Sequence, residues 1–468
     1  MNKQIADFID EGKINSILES SQNASRNELE EIISKAENAS GLTGEEVAKL
    51  LNTDAPDILD KMFAAAHRIK EKIYGKRVVI FAPLYVSNYC VNSCTYCGYG
   101  CGNEITRKRL TREELVEEVR ILEALGHKRL ALEAGEDPVN CDIDYIVDCI
   151  KTIYGIKFDN GSIRRINVNI ASTTVENYRK LKAAEIGTYI LFQETYHRDT
   201  YYKMHPKGPK HDYDYHTTAF DRAMEAGIDD VGAGVLFGLY DYRFEVLALM
   251  MHAAHLEERF GCGPHTISVP RLKPAEGMNI KDYPHIVTDE EFKKIVAILR
   301  LAVPYTGIIL STRENAAIRD EVINYGVSQI SAGSCTGVGG YKHETDTCGC
   351  EDNTAQFTVE DHRTPDEIIQ SLCRSGYIPS YCTACYRQGR VGDRFMQLAK
   401  SGNIQNVCQP NAILTFQEYL LDYASEETRE IGEKVIEEHL RRITNEKVRK
   451  IAEERLEEIK NGKRDLYL

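Results

Sequence analysis

Six cysteines in two groups carry the strongest chemical signal in the sequence. Cys90, Cys94 and Cys97 are spaced C-x3-C-x2-C; far downstream, Cys382 and Cys385 form a C-x2-C pair followed by Cys408. Three thiolates held on one short loop can bind three irons of a 4Fe–4S cube, which leaves the fourth iron open to a small chelating molecule. The alternative is a closed zinc or ferredoxin-like site with Cys101 as fourth ligand. The second triad also lacks an evident fourth ligand. From spacing alone, a structural zinc site closed by Cys373 or by the Cys348/Cys350 pair fits it slightly better than a second cluster.

A third signal is the string Ser311-Thr312-Arg313-Glu314. An arginine fork at an active-site rim suits bidentate capture of a carboxylate. An Arg–Glu pair capping the next helix fits the string equally well.

The elements that must position these residues alternate regularly. Apolar, β-branched runs predict strands at 78–86, 129–133, 163–170, 188–192, 231–236, 266–270, 307–311 and 327–330. Amphipathic segments between them, such as 111–125, 175–184, 243–259 and 289–301, read as helices. Nearly continuous apolar strands separated by helices imply a parallel sheet covered on its faces. Eight such units predict an α/β fold of the (β/α)8 TIM type, with a doubly wound open sheet as the alternative. The first cysteine loop then follows strand one, at the C-terminal mouth where barrel enzymes build their sites. His265 opens strand six, at the opposite mouth.

Outside the barrel, residues 1–75 read as a helical extension with helices over 26–37, 43–51 and 55–74. The barrel is expected over 76–340, and 341–468 as a mostly helical, cysteine-bearing domain. Within it lie a Gly/Cys-rich loop, a helix near 365–372, and one long charged, solvated helix over 426–461.

Composition narrows the function classes. The net charge of −14 argues against nucleic acid or an anionic membrane as main partner. No apolar run is long enough to span a bilayer, and the charged N-terminus does not resemble a signal peptide. A cytoplasmic protein is expected. Fourteen cysteines clustered at short intervals favour metal or cluster ligation over disulfides there.

The C-x3-C-x2-C loop, with the aromatic Tyr96 before its last cysteine, resembles the radical S-adenosylmethionine (SAM) superfamily. The resemblance implies a SAM-binding 4Fe–4S cluster and places Tyr96 against the adenine. Gly135-Glu136-Asp137-Pro138 after strand two resembles the motif whose backbone holds the SAM amino group, although Ala134 stands where a first glycine is common. Gln193-Glu194 after strand four matches the family's ribose contacts. The STRE string and QISAGS (329–334) are similar to the aromatic-amino-acid lyases of that superfamily, which include 2-iminoacetate synthase of thiazole biosynthesis. There Arg313, with Ser311 and Glu314 beside it, would hold a substrate carboxylate.

The C-x2-C-x22-C triad downstream of such a barrel resembles the tyrosine-cleaving maturases of iron–iron hydrogenase. That resemblance implies cleavage of tyrosine at Cα–Cβ to p-cresol and a glycine fragment. The fragment becomes carbon monoxide and cyanide at an auxiliary 4Fe–4S cluster with an additional iron. The product is an iron–carbonyl–cyanide unit carrying free cysteine. His265 is the candidate ligand of the additional iron, with His343 and His362 as fallbacks. A reductant such as a ferredoxin or flavodoxin and the other hydrogenase maturases are the implied partners. The competing readings are 2-iminoacetate synthase itself and an iron–sulfur electron-transfer protein.

Overall fold

The computed structural model describes residues 4–158, 161–347 and 354–468. Eight parallel strands close a barrel: β1 (Arg77–Ser87), β2 (Arg129–Ala134), β3 (Arg165–Asn169), β4 (Tyr189–Glu194), β5 (Val231–Val235), β6 (Thr266–Ser268), β7 (Gly307–Leu310) and β8 (Gln329–Ser331). Each pairs with its successor, and β1 pairs with both β2 and β8. That closure settles the choice against an open sheet. The strands are buried on both faces, as an all-parallel sheet inside a ring of helices requires.

Helix starts are written locally. Ser25/Glu28, Thr43/Glu46, Thr111/Glu114, Thr288/Glu291 and Thr364/Glu367 each form a reciprocal capping box. Each box satisfies two backbone N–H groups that would otherwise lack partners, and loss of such a cap costs about 1 kcal/mol. The N-terminal region holds four helices, Glu11–Ser20, Arg26–Ala36, Gly44–Leu51 and Pro56–Tyr74. The last buries Ile58, Met62, Ala65, Ala66, Ile69 and Ile73 along one stripe, packed on the barrel helix Asp289–Ala302.

Two features beyond the barrel differ from the sequence expectation. The charged stretch over 426–461 is two helices, Glu426–Arg441 and Glu446–Lys460, because the Asn445 side chain accepts from the Lys447 and Val448 N–H groups and starts a new one. Neither is merely a solvated rod. Val435, Ile436, Leu456 and Ile459 are buried, and both helices pack on the largely buried helix Ile404–Asp422.

The second feature is a ninth strand, β9 (Ile378–Ser380), in a region expected to be helical or loop. It pairs in parallel with Arg77–Val79 of β1, below the stretch that carries β2. β1 is long enough to hold both. This extra strand sets Cys382 directly beneath the barrel.

Candidate functional site

The barrel carries a cavity at each end. The upper one, about 200 Å3, opens at the C-terminal ends of the strands. Cys90, Cys94 and Cys97 line it together with Tyr96, Gly135, Glu136, Glu194, Ser311 and Arg313. The β2 loop passes so close to the cysteine loop that a Cβ on Gly135 would lie 2.3 Å from the Tyr89 carbonyl. Only glycine fits there. The same contact is held by Gly135 N–H donating to Ser87 O and Val91 N–H donating to Glu136 O.

The thiols suit a cluster. Burial pushes the Cys97 thiol up to about 11 and Cys94 further, so both need a metal to become thiolates. The side-chain donors that reach them are Asn92 Nδ2, 3.7 Å from Cys90 Sγ, and Gln356 Nε2, 3.8 Å from Cys97 Sγ. Weak N–H···S contacts of this kind tune cluster sulfurs. Cys101 is exposed and outside the cavity lining, so it does not close the site. Among the described residues, no three Cys, His, Asp or Glu side chains converge tightly enough for a single metal ion.

Around the thiols the polar groups are locked. Tyr96 donates to His205 Nε2 at 2.8 Å, while His205 Nδ1 donates to the Tyr201 carbonyl. Burial keeps His205 neutral, which fixes that tautomer. Asn92 Nδ2 donates to Glu136 at 2.6 Å. Lys210 pairs with Glu194 at 2.8 Å and lines the same cavity. Glu194 sits at a positive φ of 71°, just past a register shift in the β4–β5 pairing.

Three residues singled out from the sequence point elsewhere. Gln193 lies between Phe192 and Glu194, which both line the cavity, so strand alternation turns it away, and its amide donates to Thr217. Asp137 folds back to accept from the Val139 and Asn140 N–H groups, both at 2.8 Å. Glu314 is buried behind the rim, where it pairs with Arg271 and Lys273. None of the three lines the cavity. Arg313 does, and its guanidinium stacks on Phe357, with 3.3 Å from Cζ to the ring centre.

The lower cavity, about 80 Å3, lies at the N-terminal mouth. Cys382, Cys385, Cys408 and His265 line it, with Arg77, Arg129 and Phe395. β9 delivers Cys382, the turn Ala384–Arg387 carries Cys385, and helix Ile404–Asp422 carries Cys408. The Cys385 thiol donates to Cys408, and that contact, with Arg77, Arg390 and His265 nearby, lowers the Cys408 thiol against the effect of burial. His265 Nδ1 lies 2.7 Å from Asp230 Oδ2, and its ring stacks on Phe395. Nε2 is the ring nitrogen that this pairing leaves unengaged. Cys373, His343 and His362 do not line this cavity, and the Cys348/Cys350 pair lies outside the described residues. A zinc site closed by Cys373 is not formed.

Sequence reasoning missed Asn92, Lys210, Asp230, Gln356 and Phe357. Asn92 sits inside the first cysteine motif and could have been singled out. The others are spatial neighbours with no local signature.

Comparison with known proteins agrees with this geometry. The profile of the radical SAM superfamily matches residues 84–251, and that of the biotin and thiamin synthesis associated domain matches 268–378. The 2-iminoacetate synthase of Salmonella typhimurium is 30% identical over 348 residues, 74% of this chain and 89% of that protein. A crystal structure of HydG, a maturase of FeFe-hydrogenase, superposes with a TM-score of 0.96 at 63% identity, covering 99% of this chain and 100% of that one. The HydG of Carboxydothermus hydrogenoformans gives 0.83 at 40% identity, over 95% and 97% of the two chains.

Proposed function

Because the chain belongs to the HydG family of FeFe-hydrogenase maturases, within the radical SAM superfamily, we propose that it cleaves tyrosine and builds iron-bound carbon monoxide and cyanide. The observation that carries this reading is the second three-cysteine cavity, with His265 in its wall, at the far end of a barrel whose upper end has the radical SAM loop.

Family membership implies a 4Fe–4S cluster and SAM at the upper site, where the open cysteine triad and the tight Gly135 approach suit them. When bound, SAM and the reduced cluster supply a 5′-deoxyadenosyl radical that takes a hydrogen atom from the substrate. The chain's own part is positioning. Tyr96, held by His205, offers its ring to the adenine. The Gly135–Glu136 backbone would receive the amino group, and Glu194 with Lys210 would meet the ribose and carboxylate. Arg313 takes the tyrosine carboxylate in a fork, with Ser311 beside it.

At the lower site Cys382, Cys385 and Cys408 would hold an auxiliary cluster. His265 Nε2 would hold the additional iron, with free cysteine as a further ligand. The Ala384 N–H, 3.4 Å from Cys382 Sγ, and the cationic Arg77 and Arg129 suit an anionic cluster. When bound, that centre would supply the metal at which the glycine fragment is converted to carbon monoxide and cyanide. A ferredoxin or flavodoxin supplies electrons, and other maturases of a cytoplasmic pathway receive the product.

The thiazole-type 2-iminoacetate synthase is the second reading, since those relatives cover about three quarters of the chain. The matched profiles stop at residue 378, before Cys382. Anaerobic reconstitution with SAM, tyrosine and dithionite separates the two. p-Cresol with carbon monoxide and cyanide is expected; p-cresol without carbon monoxide means the thiazole-type enzyme. Absence of 5′-deoxyadenosine would exclude both.

A further inference from the structure

We propose that Phe357, delivered to the upper cavity by a strap from beyond the last barrel strand, is a positioning residue that sets how Arg313 meets a substrate carboxylate. This deepens the lyase reading and rests on it for the identity of the carboxylate.

The strap cannot shift freely. Gly98 N–H donates to the Gln356 carbonyl at 3.1 Å, and Gln356 N–H donates to Thr336 O at 3.1 Å. Thr336 Oγ1 donates to the Phe357 carbonyl at 2.9 Å. A Cβ on Gly98 would come within 2.8 Å of the Ala355 and Gln356 carbonyls, so the cysteine loop is cut away to admit the strap. Downstream, the Glu360 and Asp361 N–H groups both donate to Thr312 O, and Asp361 forms a buried pair with Arg319. Tyr85 donates to Gln356 Oε1 at 3.1 Å, which aims the Gln356 amide at Cys97. Phe357 is therefore fixed on both sides, from the cluster loop and from the loop after β7.

Arg313 is the adaptable partner. It has no side-chain hydrogen bond or ion pair to another described residue, while its guanidinium lies against the Phe357 face. A ring on the face of a guanidinium holds its plane and leaves its in-plane N–H groups free. Those edge donors are what a carboxylate engages, and Arg313 lines the cavity. Phe357 thus orients the fork before substrate arrives and saves the cost of ordering it on binding.

The test measures binding of tyrosine and of tyramine, which lacks the carboxylate, by equilibrium dialysis against the reconstituted enzyme with SAM and no reductant. Phe357→Leu should weaken tyrosine about tenfold and leave tyramine unchanged, while Phe357→Tyr, which keeps the ring, should bind as wild type. In an Arg313→Ala background, Phe357→Leu should cause no further loss. Equal weakening of both ligands, additivity with Arg313→Ala, or an unaffected Phe357→Leu would each overturn the proposal and leave Phe357 as filler. p-Cresol release by the wild type is scored separately. If it is absent, the lyase reading fails, and phenylalanine with phenethylamine, or tryptophan with tryptamine, tests the strap in the same way.

Discussion

His265 and Asp230 form one unit: Nδ1 of the imidazole donates to Oδ2 of the carboxylate at 2.7 Å, beside the cavity that holds Cys382, Cys385 and Cys408. Burial would raise the Asp230 carboxyl, but the His265 contact and Thr188 outweigh it and hold it below its usual range. A charged acceptor on Nδ1 fixes the tautomer, aims Nε2 and makes it a better ligand. The carboxylate lies one residue before β5 and the histidine one before β6, so two adjacent strands set the geometry.

From this pair, Asp230→Ala should weaken binding of the additional iron by about 10- to 100-fold while p-cresol release stays near wild type. Asp230→Asn keeps a neutral acceptor and should fall between. Iron content titrated against added ferrous iron checks both. An Asp230→Ala protein with an unchanged iron titration would remove Asp230 from the site.

Cysteine replacement in the lower triad separates the two cavities. Cys385→Ser should lower bound iron and sulfide and abolish carbon monoxide, yet leave p-cresol and 5′-deoxyadenosine formation largely intact. Cys94→Ser should stop all of them, because the radical arises at the upper site. Quantifying the three products and the iron and sulfide of each variant is the measurement. Loss of p-cresol in Cys385→Ser, with the fold intact, would contradict independent sites.

Much of this was legible because it is local. Cysteine spacing is set by the covalent chain, and strand–helix alternation and capping boxes are periodic or nearest-neighbour signals. What failed was orientation and pairing at a distance. Gln193 and Glu194 are neighbours in a strand, so only one can face the cavity; Glu194 shares that face with Phe192, and Gln193 is turned out. The STRE string places Glu314 at the rim beside Arg313, but Arg271, 43 residues earlier, claims it. β9 has three residues, too few for a period, and gains its identity only from the free edge of β1. Asp230 and His265 meet across 35 residues and carry no joint signature.

Arg313→Lys should raise KM for tyrosine by about 10- to 100-fold, since a point charge replaces a planar fork and loses the stacking on Phe357. The effect on kcat should be smaller, because the carboxylate contact is present in ground state and transition state alike. Initial rates of p-cresol formation against tyrosine concentration give both constants. A fall in kcat at unchanged KM would place Arg313 in the reaction step instead.

Acid should destabilise the fold well above the carboxylate range. Burial drives His127 and His439 down to about 4, and His216 and His252 down to about 3, from an ordinary 6.5. These four stay largely neutral in the folded chain from pH 6.5 down to about 5, whereas the unfolded chain takes up their protons. The unfolded state then binds more protons, so stability rises with pH through that window and is lost as pH falls. Each such histidine contributes a slope of up to about 1.4 kcal/mol per pH unit. The melting temperature should therefore drop steeply from pH 6.5 to 4.5. His252→Gln keeps a group that can bond the Tyr196 hydroxyl, held at 2.8 Å by the histidine, and removes one titration. Its melting curve should be shallower over that interval and run parallel to wild type above pH 7. A His252→Gln slope equal to that of the wild type would mean that this ring is protonated in the folded protein, against its burial.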